Sequence, residues 1–358
     1  MPLAVSLYGA VPSLEDGPGL LNLAWTLDER RWLSTDLDAL VTRELEAEAR
    51  EGLSYVNRYF VKDPYGDAVL GPAVAAYFGR EGWSAQVTCG AGVVSLLHAL
   101  ALLTEARPVL IAGDCYPDLP FWLSQRTAPR AAADEGAIDP TGASLVFLER
   151  PSLLGDRFAD LGAISTLCAH AARHGAVVAI DESNANYYPP GFSAANLLPD
   201  VDNLVVIRGF SKAYQLGGLR LAYCLAAPEL TARLRTVVPP LLASSLSLRV
   251  GREVLRSGDV ATSLRGRIVE HKAETRRLLE AAGIADVRPA SQYLPYLFLR
   301  HDATDSQGFL ERQRIRGKLH PYWAVATRDV AHAYRLSAPL SAERMDLLRE
   351  RLEEARRA

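Results

Sequence analysis

The chain has 358 residues, 49% of them hydrophobic, and a formal net charge of −3. This length allows a large core and favours two domains, while the lack of a basic or acidic cluster argues against nucleic acid or a polycation as partner. No apolar stretch approaches the roughly 18 residues needed to cross a membrane, so we expect no membrane association.

The cysteines indicate a reducing compartment. All four stand alone, without a Cys-x-x-Cys pair: Cys89, Cys115, Cys168 and Cys224. Such spacing favours neither a zinc site nor a disulfide framework, and we predict no metal. Because no basic leader precedes an apolar core either, a cytoplasmic location is expected.

The first part of the chain predicts an arm followed by two helices. Residues 1–35 contain several prolines and glycines and lack sustained periodicity, which indicates an irregular segment. Ser34–Glu51 carries apolar residues at helical spacing, with Ser34 or Thr35 as its N-terminal cap. A second helix is predicted over Leu70–Gly82.

A glycine turn joins the next strand to a long apolar helix. The strand begins at Val87, and Gly90-Ala91-Gly92 precedes the helix. Free backbone N–H groups and the positive dipole end of a helix suit a phosphate. Ser95 stands where a dinucleotide-binding fingerprint has its third glycine, so the pattern indicates an anion site in general. His98 lies inside the apolar helix and is expected in the core.

Three more short apolar runs predict buried strands, over Pro108–Ala112, Leu145–Leu148 and Ala176–Asp181. A helix predicted over Leu161–His174 separates the last two. Strands that alternate with helices indicate an α/β domain with a mainly parallel sheet. In such a domain ligands gather at the carboxyl ends of the strands, where Asp181 lies.

A lysine follows the next buried strand. Leu204–Ile207 is apolar and β-branched, Lys212 is one of only four lysines in the chain, and a second strand begins at Arg220. An ammonium in apolar surroundings is poorly solvated, which favours the neutral amine, a nucleophile towards a carbonyl. Arg220 can reach an anion bound near Lys212, and Gly217-Gly218 lets the backbone approach that anion. These residues predict Schiff-base chemistry.

Residues 211–220, Ser-Lys-Ala-Tyr-Gln-Leu-Gly-Gly-Leu-Arg, resemble the pyridoxal-phosphate lysine motif of fold-type I aminotransferases. The histidinol-phosphate aminotransferase branch has the similar pattern Ser-Lys-Ala-Phe-Gly-Leu-Ala-Gly-Leu-Arg. The resemblance implies an aspartate-aminotransferase-like α/β fold with pyridoxal 5'-phosphate as cofactor. It also implies that Lys212 holds the cofactor as a Schiff base and that Ser211 and Arg220 bind its phosphate.

The same resemblance assigns further cofactor contacts. Ala91, Gly92 and Val93 align with the family's phosphate-binding turn. Tyr116 matches the aromatic residue that stacks on the pyridine ring and excludes water from it. Asp181 matches the aspartate that keeps the pyridine nitrogen protonated, so that the ring can accept electrons.

Two positions depart from the family pattern. Ser152 stands at the second asparagine of Asn-Pro-x-Asn-Pro-Thr-Gly, and Asn184 replaces a family tyrosine. In the family both residues contact the phenolic oxygen of the cofactor. We expect Ser152 and Asn184 to take these places, and the double replacement leaves room for a reaction other than transamination.

The segment Val56–Leu70 resembles the family signature Tyr-Pro-Asp-Pro-x-Gly-x-x-x-Leu. In the family this tyrosine reaches the phosphate of the neighbouring subunit's cofactor. Tyr59 is the first choice for it and Tyr65 the alternative. The resemblance therefore implies a homodimer with shared active sites.

The C-terminal part supplies the expected substrate clamp. Val330–Pro339 resembles the family's late Val-Arg-Leu-Ser strand, which implies that Arg335 binds the substrate α-carboxylate. We expect an N-terminal arm with part of a small domain in 1–50, a large cofactor-binding domain in 51–240, and a smaller C-terminal α+β domain in 241–358. Its other predicted elements are helices over Glu229–Val237, Leu246–Leu255, Leu264–Ala282, Phe309–Arg316 and Ser341–Arg357, and a strand over Tyr293–Arg300.

Three functions fit these expectations. The first is an aminotransferase acting at the α-carbon of an amino acid through Lys212. The second is a pyridoxal-phosphate enzyme of natural-product biosynthesis that performs elimination, replacement, cyclisation, decarboxylation or oxidation, because Glu182–Asn186 resembles capreomycidine-synthase-like enzymes. The third is a nucleotide-binding α/β protein without catalysis, in which Lys212 contacts a phosphate.

Overall fold

The structure is a computed structural model. It describes residues 19–57, 61–80, 86–113, 115–132, 138–153, 160–286, 291–300, 305–319 and 334–357. Tyr59 and the first 18 residues of the predicted arm lie outside these ranges, and the expectations about them stay predictions.

The described helices and strands follow the predicted order, except that the helix predicted over Phe309–Arg316 ends at Arg312 and a strand covers Ile315–Arg316. The helices are α1 (Leu37–Arg50), α2 (Ser54–Asn57), α3 (Asp67–Tyr77), α4 (Val93–Leu103), α5 (Asp118–Ser124), α6 (Leu161–Arg173), α7 (Pro228–Arg235), α8 (Ser245–Arg256), α9 (Thr262–Ala281), α10 (Ser306–Arg312) and α11 (Ala342–Arg357). The strands are β1 (Leu21–Asn22), β2 (Val87–Gly90), β3 (Val109–Ala112), β4 (Pro129–Ala131), β5 (Leu145–Glu149), β6 (Val177–Asp181), β7 (Leu204–Gly209), β8 (Ala222–Ala226), β9 (Tyr296–Leu299), β10 (Ile315–Arg316), β11 (Lys318–Leu319) and β12 (Tyr334–Ser337).

Seven strands form the central sheet, in the order β2-β8-β7-β6-β5-β3-β4. Strands β4, β3, β5, β6 and β7 pair in parallel. Strand β8 runs antiparallel to both of its neighbours, β7 and β2. The mainly parallel sheet predicted from the sequence is confirmed, and its carboxyl ends meet at one edge.

Helices cover both faces of this sheet. In β5, Val146 and Leu148 join one apolar cluster, while Leu145 and Phe147 join another, because successive side chains of a strand point to opposite faces. The first cluster includes residues of α3, α6 and α8, and the second residues of α4, α5 and α7. None of the described helices is long and apolar enough to span a membrane.

A second, smaller group of strands lies in the C-terminal part. Strands β11, β12 and β9 form an antiparallel sheet, and the N-terminal β1 pairs with β10. Leu21, Leu297, Leu336 and Leu348 belong to a third apolar cluster, so residues near the N-terminus complete the C-terminal core. The division of the chain after residue 240 stays a prediction.

Four local expectations were wrong. The cap of α1 is Asp36, whose carboxylate accepts a hydrogen bond from the backbone N–H of Ala39 at 2.9 Å; neither Ser34 nor Thr35 caps this helix. Helix α3 begins at Asp67 and ends at Tyr77, earlier at both ends than the sequence predicted.

The other two concern Arg220 and His98. Arg220 does not begin a strand, because its backbone is left-handed with φ of 50°, and β8 starts at Ala222. His98 is exposed and its ring meets that of Trp122 edge-on at 5.3 Å. An exposed position therefore interrupts the apolar run of α4.

Candidate active site

A cavity of 600 Å³ opens at the carboxyl ends of β6 and β7. Strands β10, β11 and β12 contribute to its other wall. The residues predicted from the sequence that line it are Val93, Tyr116, Asp181, Asn184, Ser211, Lys212, Arg220 and Arg335. The structure thus brings most of the predicted site together.

Lys212 lies on a tight loop after β7. Ala213 and Gln215 have φ of 60° and 51°, in the left-handed region that residues with a Cβ rarely adopt. The loop is closed by hydrogen bonds from the N–H of Tyr214 to the carbonyl of Lys212 at 2.7 Å and from the N–H of Leu216 to that of Phe210 at 3.1 Å. The half-buried Lys212 side chain projects into the cavity.

The segment before α1 holds this loop from outside. Arg30 donates to the backbone carbonyls of Tyr214 at 3.3 Å and Gln215 at 2.9 Å. The Gln215 side chain donates in turn to the carbonyl of Thr26 at 2.9 Å. These contacts stabilise an unfavourable backbone that fixes the position of Lys212.

Glu29 lies beneath the same loop and is 0% exposed. It accepts hydrogen bonds from the Tyr187 hydroxyl and, at 3.3 Å, from Gln215. Burial raises the pKa of Glu29 to about 7, although these hydrogen bonds and the charge of Lys212 lower it. A carboxyl with neutral donors and a distant cation is held near its neutral form.

Arg220 forms an anion-binding corner with the glycine turn before α4. Its guanidinium donates to the carbonyls of Ala91 at 3.1 Å and Gly217 at 3.2 Å. Gly92 has φ of 80°, and a Cβ there would come within 2.5 Å of this guanidinium, so only glycine fits. Within the described ranges Arg220 forms no ion pair with a carboxylate. Ala91 and Gly92 do not themselves line the cavity but position Arg220 beside the start of α4.

Asp181 ends β6 and is buried. Its Oδ1 accepts hydrogen bonds from the N–H of Ser183 at 2.8 Å and from the hydroxyl of the same residue. Burial raises the pKa of Asp181 to about 6, against the lowering effect of these hydrogen bonds. A cationic partner in the cavity would stabilise the ionised carboxylate.

Tyr116 supplies an aromatic wall. Its ring stacks on Trp122 with centroids 5.9 Å apart and planes at 29°, and its hydroxyl donates to Asp118 at 3.3 Å. The ring is therefore fixed before any ligand enters.

The two positions that depart from the family pattern differ in the structure. Asn184 lines the cavity, and its Oδ1 is buried without a hydrogen-bond partner in the described part of the chain. Ser152 is described but does not line the cavity, whereas Glu149 and Leu153 from the same segment do. A buried amide oxygen without a hydrogen-bond donor is costly unless a ligand supplies one.

Tyr65 is engaged within its own subunit. Its hydroxyl donates to the carbonyl of Arg235 at 3.0 Å, and the Arg235 guanidinium lies 4.7 Å from its ring centroid. Tyr59, the first choice for a residue that reaches the neighbouring subunit, lies outside the described residues.

Arg335 faces the cavity from β12. One Nη donates to the carbonyl of Ala24 at 3.0 Å, and the guanidinium lies 4.4 Å from the Tyr296 ring centroid. Its buried Nε has no hydrogen-bond partner among the described residues. The guanidinium is positioned by the protein and keeps donors free for an anion.

Sequence reasoning missed two groups of charges. Lys318 and Arg316 line the cavity next to Arg335; the alternation Arg316-Gly317-Lys318 could have indicated two cations on one strand face. Behind Asp181, the buried Glu182 pairs with Arg208 at 2.6 Å and with Arg150 at 3.4 Å.

Comparisons with known proteins agree with this geometry. The model of the family described as aminotransferase class I and II matches residues 155–352, more than half of the chain. The aromatic amino acid aminotransferase of Mycolicibacterium smegmatis is 28% identical over 214 residues, which cover 55% of this chain and 58% of that protein. The histidinol-phosphate aminotransferase of Gloeobacter violaceus is 29% identical over 284 residues, covering 74% and 75% respectively.

A solved structure is similar over most of the chain. The histidinol-phosphate aminotransferase from Sinorhizobium meliloti, in complex with pyridoxal-5'-phosphate, has a TM-score of 0.67 at 20% identity and covers 89% of this chain and 87% of that one. The chain belongs to the aminotransferase class I and II family and has the fold-type I architecture that the resemblance implied. The chain matches little more than half of the length of the Mycolicibacterium relative.

Proposed function

We propose that the chain is a pyridoxal-phosphate-dependent enzyme that acts at the α-carbon of an amino acid, as an aminotransferase. The observation that carries the proposal is the placement of Lys212, Asp181, Arg220 and Arg335 around one cavity. An amine nucleophile, a buried carboxylate and an anion-binding arginine match the aldehyde, the pyridine nitrogen and the phosphate of one cofactor. The remaining arginine suits the carboxylate of a substrate.

The unpaired groups of the cavity fit pyridoxal 5'-phosphate. The Arg220 corner, with Ser211 and the N-terminus of α4 at Val93, would hold the phosphate. Asn184 lines the cavity, where its side-chain Nδ2 would donate to the phenolic oxygen, and Tyr116 offers a fixed ring to the pyridine face. When bound, the cofactor supplies an aldehyde for amines and a ring that accepts electrons.

The proposed role of Asp181 is to stabilise the protonated form of the pyridine nitrogen. The pKa of its carboxyl is raised to about 6 by burial when no cation is opposite. A pyridinium N–H would favour the ionised carboxylate and would itself be stabilised in the protonated form. Asp181 thereby maintains the electron-accepting form of the ring.

Arg335 and Lys212 have different roles towards the substrate, which are binding and proton transfer. The guanidinium of Arg335 binds the α-carboxylate through two parallel N–H donors, which orients the amino acid in the cavity. Lys212 Nζ would take the α-proton and return it to another atom, as general base and acid. Tyr116 excludes water while the proton moves.

A reaction other than transamination is the second candidate, and the surroundings of Asn184 favour it. Family members have two side chains on the phenolic oxygen. Here Asn184 lines the cavity while Ser152 does not. With fewer hydrogen-bond donors, the phenolic oxygen would have a higher proton affinity. This change would influence which reaction follows once a bond to the substrate α-carbon is broken.

We also propose a cytoplasmic homodimer with shared active sites. The four cysteines are buried free thiols, which suits a reducing compartment. Because the Tyr65 hydroxyl is engaged within its own chain, Tyr59 is the better candidate for the partner's cofactor. Sedimentation at working concentration tests the proposal, and a fully active monomer would contradict it.

The chemical proposal is tested with the purified chain and pyridoxal 5'-phosphate. We expect a visible absorption band that borohydride abolishes, and conversion of an amino acid together with a 2-oxo acid into the exchanged pair, identified by mass. A decarboxylated, cyclised or oxidised product would favour the second candidate. Absence of any band would contradict both candidates and leave a non-catalytic nucleotide-binding protein.

A further inference from the structure

Three cations from neighbouring strand segments line the cavity together. Arg316, Lys318 and Arg335 all line it, and we call them the cationic wall. Lys318 lies directly opposite Arg335 in the antiparallel β11–β12 pair, so both side chains stand on one face of the sheet. Arg316 and Lys318 are two residues apart in extended chain, which puts them on a common face as well.

Gly317 allows this close arrangement. A Cβ at Gly317 would lie 2.6 Å from the carbonyl oxygen of Arg335, and its N–H donates to the Tyr334 hydroxyl at 2.7 Å. Only glycine lets the two strands approach so closely with a cation on either side of it.

The cationic wall has no acidic partner in the described part of the chain. Arg335 donates only to a backbone carbonyl, and the Lys318 ammonium lies 5.0 Å from the Trp25 ring centroid, without a hydrogen-bond acceptor in the described ranges. Glu311 also lines the cavity but is exposed on α10 and forms no ion pair with these three residues.

This arrangement is unfavourable while the cavity is empty. Like charges directly opposite each other in a sheet destabilise it, and burying a charge without a partner costs more. Burial, together with the charges of Arg335 and Lys212, lowers the pKa of Lys318 from 10.5 to about 7. An anion between these cations would remove the penalty.

We propose that Lys318 binds a second anionic group, on the side chain of the substrate, and that the substrate class is therefore amino acids with an acidic side chain. The inference rests on the proposed function, in which Arg335 takes the α-carboxylate. One carboxylate cannot neutralise three cations, so Lys318 and Arg316 remain for another anion. A carboxylate and a phosphate share the required chemistry.

The experiment uses three unreactive probes that compete with substrate: succinate, its monoamide succinamate, and 3-phosphonopropionate. Their dissociation constants are measured from the absorbance change of the cofactor-loaded chain. Succinate and succinamate have nearly the same shape, but one end is an ionised carboxylate in the first and a neutral amide in the second. We expect at least one dianion to bind about 10- to 100-fold more tightly than succinamate, as a charged hydrogen-bonded pair does. The tighter dianion distinguishes a carboxylate from a phosphate-bearing side chain.

Three variants locate the effect. Lys318→Met should reduce the ratio between dianion and succinamate by about 10- to 100-fold, and Lys318→Arg should retain it. Lys62→Met, which removes an exposed lysine, is the matched control and should leave the ratio unchanged. Thermal unfolding of all three confirms that each is folded.

The outcomes separate the two proposals. A cofactor band without any preference for a dianion, no binding of either dianion, or an unchanged ratio in a folded Lys318→Met each overturns the inference alone. Failure to form the band contradicts the proposed function, and with it the inference that rests on it.

Discussion

Two clusters of charge, one around the buried Glu182 and one on the cavity wall, are built in opposite ways. The carboxylate of Glu182, 0% exposed, accepts hydrogen bonds from Arg150, Arg208, the Ser193 hydroxyl and the N–H of Ala194. The cationic wall, in contrast, has no acid among the described residues.

The role of a buried charge depends on whether the protein or a ligand supplies its partner. A charge whose partners are supplied by the protein holds elements together, because removing one partner leaves the other desolvated and unpaired. A charge whose partner is absent destabilises the protein until a ligand supplies one. Mutations in the first cluster should therefore change stability, and mutations around the cavity should change binding and catalysis.

The largest expected effect is on the cavity side. Lys212→Ala should lower turnover by at least about 10²- to 10⁴-fold, since both the covalent link and the proton carrier are lost. Its melting temperature without cofactor should stay close to that of the parent, because no described residue is hydrogen-bonded to the amine. Turnover near the parent's value would sink the assignment.

Next comes the paired cluster. Glu182→Gln should lower the free energy of unfolding by about 3 to 5 kcal/mol, because two buried guanidiniums lose their counter-charge. Urea denaturation measures this loss. Glu253→Gln, on the partly exposed Arg252 and Arg256 pairs, is a control that should cost about 1 kcal/mol or less. Equal losses in the two variants would contradict the distinction.

The protein satisfies the buried carboxyl of Glu29 only in part, because its hydrogen-bond donors, Tyr187 and Gln215, are both neutral. Burial raises its pKa from 4.5 to about 7, so between these pH values the folded state binds a proton that the unfolded state has released. The free energy of unfolding should therefore fall as pH rises from 4.5 to 7, by on the order of 3 kcal/mol.

Glu29→Gln should remove this fall, measured as the difference between variant and parent in urea at each pH. Asp181, whose pKa is also raised, contributes in the same direction in both proteins and cancels in the difference. Parallel stability curves would show that folding does not raise the pKa of Glu29.

The smallest of these effects is expected at Arg335. Arg335→Ala should weaken the binding of an α-amino acid by about 1.5 to 3 kcal/mol, the value of a hydrogen bond to a charged group. An amine without the α-carboxylate should bind equally well to variant and parent. A loss of the same size for both ligands would show that the change acts through the fold instead.

The sequence predicted those features that depend on contiguous residues. The run from Ser211 to Arg220 is a single loop, and its residue types alone indicated an amine beside an anion site. Buried strands were found because apolar runs are local, and Arg335 because its strand carries a motif. The parallel sheet and its carboxyl-end site followed from the alternation of strands and helices.

Features that depend on register between distant residues were not predictable. Glu149 pairs with Asp181 and Asp181 with Ile207 in the sheet, which brings the next residue of each strand, Arg150, Glu182 and Arg208, into one row. Similarly, the place of Lys318 in the cationic wall depends on its pairing opposite Arg335, which is 17 residues away in the sequence. Glu29 was missed because its burial depends on a loop far along the chain.

The central claim is that one lysine of the four carries the cofactor. The cofactor-loaded chain is reduced with borohydride and digested, and the peptide with the added pyridoxyl-phosphate mass is sequenced by mass spectrometry. We predict that the label lies on Lys212, on the loop held by Arg30 and Gln215. A label on Lys62, Lys272 or Lys318, with Lys212 unmodified, would contradict the account.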